Sequence, residues 1–122
     1  MRAKDAVGRY GEQVAADRLT AAGWVILERN WRCSDGELDI VARDGMAIVF
    51  VEVKTRSSLA YGDPAEALSR DKVARIRGLA LRWLREHPTG TGSRRAELRF
   101  DVISVLRNGH GPATVRHLRA AF

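Results

Sequence analysis

GELDIVARDGMAIVFVEVKTR, residues 36 to 56, is the stretch whose reading decides the fold. Two runs rich in Val, Ile, Leu and Ala flank Asp44-Gly45, a dipeptide that favours a tight hairpin turn. Residues 37 to 43 and 47 to 55 are therefore expected to pair as antiparallel strands. With Asp44 and Gly45 as the turn, Arg43 pairs with Met46, Asp39 with Phe50 and Glu37 with Glu52. Side chains alternate along a strand. One face then carries Leu38, Ile40, Ala42, Val49, Val51 and Val53, all apolar and core-facing. The other carries Val41, Ile48 and Phe50 near the turn, and Glu37, Asp39, Glu52 and Lys54 further out. Burying a charge without a partner is costly. Three carboxylates and one ammonium on one patch of a core hairpin therefore require a reason.

In this register Glu37 and Glu52 face each other and repel, unless a cation sits between them. Hard divalent ions such as Mg²⁺ take oxygen ligands, typically one or two carboxylates plus water. Lys54 follows Glu52 by two residues and shares its face. It could orient a water or offset charge developing on a phosphate. This geometry suits hydrolysis of a phosphodiester. An arbitrary Glu-x-Lys on a strand is more often an ion pair at a solvated strand end. Three acids and one lysine converging in a partly apolar setting shift the balance toward a site.

Outward from the hairpin, residues 4 to 22 read as a helix. Val7, Val14, Ala15, Leu19 and Ala22 share its broad apolar face, with Arg18 intruding and snorkelling, and Gly23 stops it. Residues 24 to 32 read as a first strand, and Cys33 to Gly36 as a polar turn. Residues 57 to 68 read as irregular, with one short helical turn after Pro64. Ser69 is a candidate N-cap for a helix over 70 to 86, with a stripe of Val73, Ile76, Ala80, Trp83 and Leu84. Pro88 and TGTGS end it. Residues 97 to 106 read as a further strand and 113 to 118 as an edge strand. The order α-β-β-β-α-β-β gives an α/β fold, a mixed β-sheet with helices packed against it.

The 122 residues suffice for one domain, spanning 1 to 122, and 45% of them are hydrophobic. No apolar run reaches the roughly 18 residues of a membrane span, so no membrane partner is expected. MRAKDAVGRYGEQ lacks an apolar signal region, which argues against secretion. Cys33 is the single cysteine, excluding an internal disulfide and a cysteine-rich metal site. A cytoplasmic location is the expectation. The 21 Lys and Arg against 15 Asp and Glu give a net charge of +6, which suits nucleic acid.

The residues also match a known pattern. Gly36-Glu37-Leu38-Asp39-Ile40 followed by Val51-Glu52-Val53-Lys54 resembles the PD-(D/E)xK signature of the restriction-endonuclease-like superfamily, which includes Holliday-junction resolvases. Gly11-Glu12 with Ala15 and Leu19, Gly23, Asn30, the two hairpin segments and Arg99-Phe100-Asp101-Val102 together resemble the YraN-like family of small bacterial proteins. The match runs over about residues 8 to 106. Leu38 stands where the signature has its proline. The resemblance implies an αβββαβ core and a Mg²⁺- or Mn²⁺-dependent nuclease acting on DNA, with branched or structured DNA among its substrates. It implies that Asp39 and Glu52 bind the metal with the Val53 carbonyl, that Lys54 is the catalytic lysine, and that Glu12 adds an acid from the first helix. On a helical wheel Glu12 sits beside Leu19 at the edge of the apolar face, where a solvated residue is an equal alternative.

Thr55, Arg56 and Lys72 lie near the site end of the hairpin and are candidate phosphate contacts. Arg75, Arg82 and Arg85 lie on the polar side of the second helix, where a solvated face is the default. The basic loop Thr89 to Arg95 is a further candidate contact. Asp101 reads as a structural acid paired with an arginine or capping backbone. The three histidines lack metal-ligand spacing, His87 reads as a helix-end residue, and the three tryptophans read as core. Cutting both strands of a duplex with so small a chain calls for a homodimer, though no sequence feature specifies one. The competing reading is a non-catalytic nucleic-acid-binding module of the same fold that acts with a protein partner. A third is a metal-independent assembly protein.

Overall fold

In the computed structural model the described residues are 4–57, 68–88, 97–107, 109 and 111–122. The elements are α1 (Lys4–Ala21), β1 (Val25–Cys33), β2 (Gly36–Asp44), β3 (Ala47–Arg56), α2 (Arg70–Glu86), β4 (Glu97–Leu106) and β5 (Thr114–Leu118). The strands form one mixed sheet in the order β1-β2-β3-β4-β5. Only β3 and β4 run parallel, because α2 lies between them as a crossover. The helical turn expected after Pro64 and the Thr89–Arg95 loop lie outside the described residues. Among the described residues no helix is long and apolar enough to cross a membrane.

Each helix covers one face of the sheet. Ala15, Ala16 and Leu19 of α1 pack with Trp24, Ile40, Ala42, Val49, Val51, Ile103 and Val105. Ile76, Leu79, Ala80 and Trp83 of α2 pack with Leu38, Val41, Ile48 and Phe50. Strands covered on both sides lose the apolar-polar alternation, which is why β3 reads as a continuous apolar run. Helix α1 ends as Gly23 implies: Gly23 takes φ 90°, and the Trp24 N–H donates to the Leu19 carbonyl at 3.0 Å. Ala22 is exposed rather than part of the apolar face, and Arg18 reaches water. Ser69 caps α2, its hydroxyl accepting from the Lys72 N–H at 3.1 Å. His87 closes α2, its Nδ1 2.8 Å from the Trp83 carbonyl. Trp24 begins no strand; it is buried under α1.

The hairpin differs from its sequence reading in two respects. The turn residues are Gly45 and Met46, and Asp44 pairs with Ala47, Arg43 with Ile48 and Ile40 with Val51. Gly45 takes φ 60°, the conformation that the first central position of such a turn requires, and Met46 stands in solvent. Relative to the expected register the pairing moves by two residues, so the faces of β3 are preserved but Glu37 does not oppose Glu52. The second correction is Leu38, which packs on the α2 side while Ile40 packs on the α1 side. The break in alternation falls at Asp39. Opposite it on β1, Asn30 takes φ 53°, and the β1–β2 register shifts between Ile26 and Glu28.

Candidate functional site

The break at Asp39 builds the site. The β2–β3 ladder stops at Ile40–Val51, and beyond it the Val53 N–H donates to Asp39 Oδ2 at 2.8 Å. A side chain has replaced the partner strand's backbone at the point where the strands part. Asp39, Glu37 and Val53 thereby line a cavity of about 340 Å³ with Glu12 and Arg9 of α1 and with Asn30 and Arg32 of β1. Glu52 points to the α2 side, next in alternation to Val51 and Val53. Its Oε2 lies 3.3 Å from Lys54 Nζ and 3.3 Å from Lys72 Nζ, the latter delivered by the first turn of α2.

The carboxylates are unequally satisfied. Glu52 is buried and neutralised by two ammoniums. Burial first, and then repulsion from Glu52 beside it, hold the Asp39 carboxyl well above its usual range, against the Val53 N–H. Glu12 is 8% exposed and its Oε1 has no hydrogen-bond partner among the described residues. Burial pushes the Glu12 carboxyl up, while Arg29 and the Asn30 side chain favour its anion. A buried oxygen left unpaired costs roughly 1–3 kcal/mol, an expense that among the described residues falls on no other buried side-chain oxygen or nitrogen.

The sequence-predicted residues divide accordingly. Asp39, Glu52, Lys54 and Lys72 come together. Glu12 arrives from α1 at the same end of the sheet, buried rather than solvated. Glu37 stands back: it pairs with Arg32 at 3.1 Å and is half exposed, although it lines the cavity. Thr55 lies under α1, where Gly11 makes room for it; a Cβ on Gly11 would fall 1.7 Å from Thr55 Oγ1. Arg56 is half-buried on β3, and its carbonyl accepts from the Arg107 N–H at 2.9 Å. Among the described residues no group of three or more His, Cys, Asp or Glu side chains is drawn together tightly enough to hold a metal ion. Asp39 and Glu52 contribute two carboxylates, the number a Mg²⁺ site commonly takes from protein.

Asn30 had no assigned role in the sequence reading. An asparagine inside a strand pattern is a signal, since Asn tolerates the left-handed region better than most residues. Asp101, by contrast, is a structural acid as expected. It is fully buried and accepts from Arg99 at 2.9 and 3.0 Å and from the Ala120 N–H at 3.0 Å, with His117 Nε2 at 2.7 Å.

A mixed sheet between two helices, with a carboxylate and lysine cluster where its central hairpin opens, defines the class: an α/β protein with a candidate acid-lysine site. Residues 11–105 match the family described as "Uncharacterised protein family UPF0102". The chain is 60% identical over 119 residues to a UPF0102 protein of Beutenbergia cavernae, covering 98% of each chain. It is 57% identical over 122 residues to a UPF0102 protein of Frankia alni, covering 100% of this chain and 98% of that one. The chain belongs to the UPF0102 family, as its YraN-like resemblance implied.

Proposed function

We propose that the protein is a divalent-metal-dependent nuclease that hydrolyses phosphodiester bonds of DNA, branched or structured DNA included. The observation that carries this reading is the convergence of Asp39, Glu52 and Lys54 where β2 and β3 part, with Glu12 closing in from α1. The element order α-β-β-β-α-β supports a restriction-endonuclease-like core, the fold the sequence pattern implies. The donor set fits a hard ion. Two adjoining carboxylates, and a buried oxygen on Glu12 with no partner among the described residues, are sites at which added positive charge relieves repulsion.

Asp39 and Glu52, with the Val53 carbonyl, would hold Mg²⁺ or Mn²⁺, which supplies positive charge to a phosphate as negative charge builds on it. Lys54, held 3.3 Å from Glu52, keeps its remaining donors for a water or a phosphate oxygen. Lys72 presents a second ammonium from α2. Burial of Glu12, Glu52 and the apolar residues beneath them keeps the local dielectric low, which strengthens each of these interactions.

The test is cleavage of a DNA four-way junction and a linear duplex in Mn²⁺. Glu52→Ala and Lys54→Ala should each lose at least ~100-fold in rate with native circular dichroism. Calorimetric Mn²⁺ binding should vanish in Glu52→Ala. Equal cleavage by both variants and wild type would sink the reading. A second reading, a DNA-binding module without catalysis, rests on the two ammoniums that already neutralise Glu52. It predicts salt-sensitive binding that needs no divalent ion.

A further inference from the structure

Helix α2 carries six basic residues and two acidic ones. Its spacing places Arg75, Gly78, Arg82 and Arg85 on one stripe. That stripe borders a groove between α2 and the β1–β2 turn, which Asp35 also lines. Arg82 is fixed there, its guanidinium bonded to Ser34, Asp35 and Glu86 at 2.9 to 3.3 Å. Arg75 and Arg85 are exposed and have no ion pair or hydrogen bond with another described residue.

Gly78 separates these arginines. A Cβ there would meet nothing within 4 Å, so packing does not demand glycine. Glycine inside a helix sacrifices helix propensity. Its effect is to leave a low, bare segment between cations, where another backbone can approach. The groove also adjoins the acid site. A Cβ on Gly36 would lie 3.3 Å from Leu79 and 3.6 Å from the Arg75 stem. The next residue, Glu37, lines the acid cavity, and the first turn of α2 carries Lys72 to Glu52.

We propose that this stripe is a phosphate track for duplex DNA, binding one strand's backbone as it leaves the acid site. The inference rests on the DNA-directed reading above but not on catalysis. Lys72 to Arg85 is 13 residues of helix, about 20 Å at 1.5 Å per residue. At 3.4 Å of duplex axis per step that length covers about six steps, over half a turn, so one strand winding past the helix meets only two or three of its cations.

The experiment is fluorescence anisotropy of a labelled 20-base-pair duplex with the full chain, across a salt series without divalent ions. Each lost phosphate contact removes about 0.9 from the slope of log affinity against log salt. Arg75→Gln/Arg85→Gln should therefore flatten the slope by about 1.8, shrinking the affinity loss between 50 and 200 mM salt by about tenfold. Arg18→Gln, an exposed arginine at the far end of α1, should leave the slope within about 0.3. Gly78→Gln should raise the melting temperature yet weaken binding, a combination that a purely structural role would not give. An unchanged slope in the double variant, an equal drop in Arg18→Gln, or no duplex binding by wild type would each overturn the track. If the slope flattens but Mn²⁺-dependent cleavage is absent, the track stands and the nuclease reading falls. If cleavage needs Glu52 and the slope is unchanged, the reverse holds.

Discussion

Replacing Asp101 by Asn removes a charge and little volume, so its effect can be worked from the network around it. Burial alone would raise this carboxyl. Hydrogen bonds from His117, Arg99 and the Ala120 N–H, with the Arg99 charge, outweigh burial and bring it from 3.8 down to about 2. A difference near 1.8 units corresponds to about 2.5 kcal/mol of folding stability at neutral pH. The sign follows from linkage. The folded value lies below the unfolded one, so the stabilisation is complete above pH 3.8 and is lost as pH falls through about 2. At pH 3 about half should remain, roughly 1.3 kcal/mol. Asn also turns an N–H toward donors on Arg99 or His117, which adds to the loss. Urea unfolding of wild type and Asp101→Asn at pH 7 and pH 3 reads both numbers. The melting temperature at pH 7 should fall by roughly 10 °C. A deficit below about 1 kcal/mol at pH 7, or one that does not shrink by pH 3, would refute the reasoning.

Two further perturbations separate packing from function. In the metal-free protein Asp39→Asn should stabilise the fold by on the order of 1 kcal/mol at pH 8 while abolishing any Mn²⁺ binding. The Asp39 carboxyl is raised in the folded state, so wild type is penalised as pH climbs above 3.8, and the advantage of Asn should disappear in acid. Thermal melts with a chelator at pH 4 and pH 8 test this, and a less stable variant at pH 8 would count against it. Gly11→Ala would ordinarily favour a helix, but here the new Cβ meets Thr55 Oγ1 at 1.7 Å and Thr55 Cβ at 2.8 Å. It should cost about 1–3 kcal/mol, and the cost should fall toward zero in a Thr55→Gly background. A chemical-denaturation double-mutant cycle measures that coupling.

Local signals made much of this fold legible. The bounds of α2 agree with the sequence reading because Ser69 starts the helix and Pro88 follows its end. The β4 bounds agree because ELRFDVISVL is a mostly apolar run between polar segments. The hairpin was placed correctly, but its register was off by two residues. That error left Glu52 and Lys54 on one side, since a shift of two preserves alternation. It misplaced Glu37. Leu38 went to the opposite face because alternation fails at Asp39, beside the left-handed Asn30 on a different strand. Strict alternation within β2 does not reveal a break that involves its neighbour. Leu79, absent from the expected stripe, is buried with Ile76, Ala80 and Trp83, and its place three residues after Ile76 and four before Trp83 was legible from helical spacing alone.

The two buried acid sites differ in a way that separates structure from function. Asp101 is fully buried, and both of its oxygens accept hydrogen bonds. Its environment favours the anion, so it contributes to the stability of the empty fold. Glu12 and Asp39 have the opposite energetics. One has a buried oxygen without a partner among the described residues, the other adjoins a second carboxylate, and burial disfavours the anion of both. Apolar residues of similar size would stabilise this end of the sheet more simply. An arrangement that costs stability in the unliganded fold is accounted for if its charge is met by a ligand, and the flanking Lys54 and Lys72 limit which ligand that can be. A free anion alone would leave the acids uncompensated, and a free cation alone would leave the lysines displaced from Glu52. A divalent ion that arrives with a phosphate satisfies both sets together. Mn²⁺ should therefore bind more tightly in the presence of a DNA duplex than alone, by a factor equal to the tightening of DNA by Mn²⁺. Calorimetric titrations in both orders measure that reciprocity, and independent binding of the two would refute the argument.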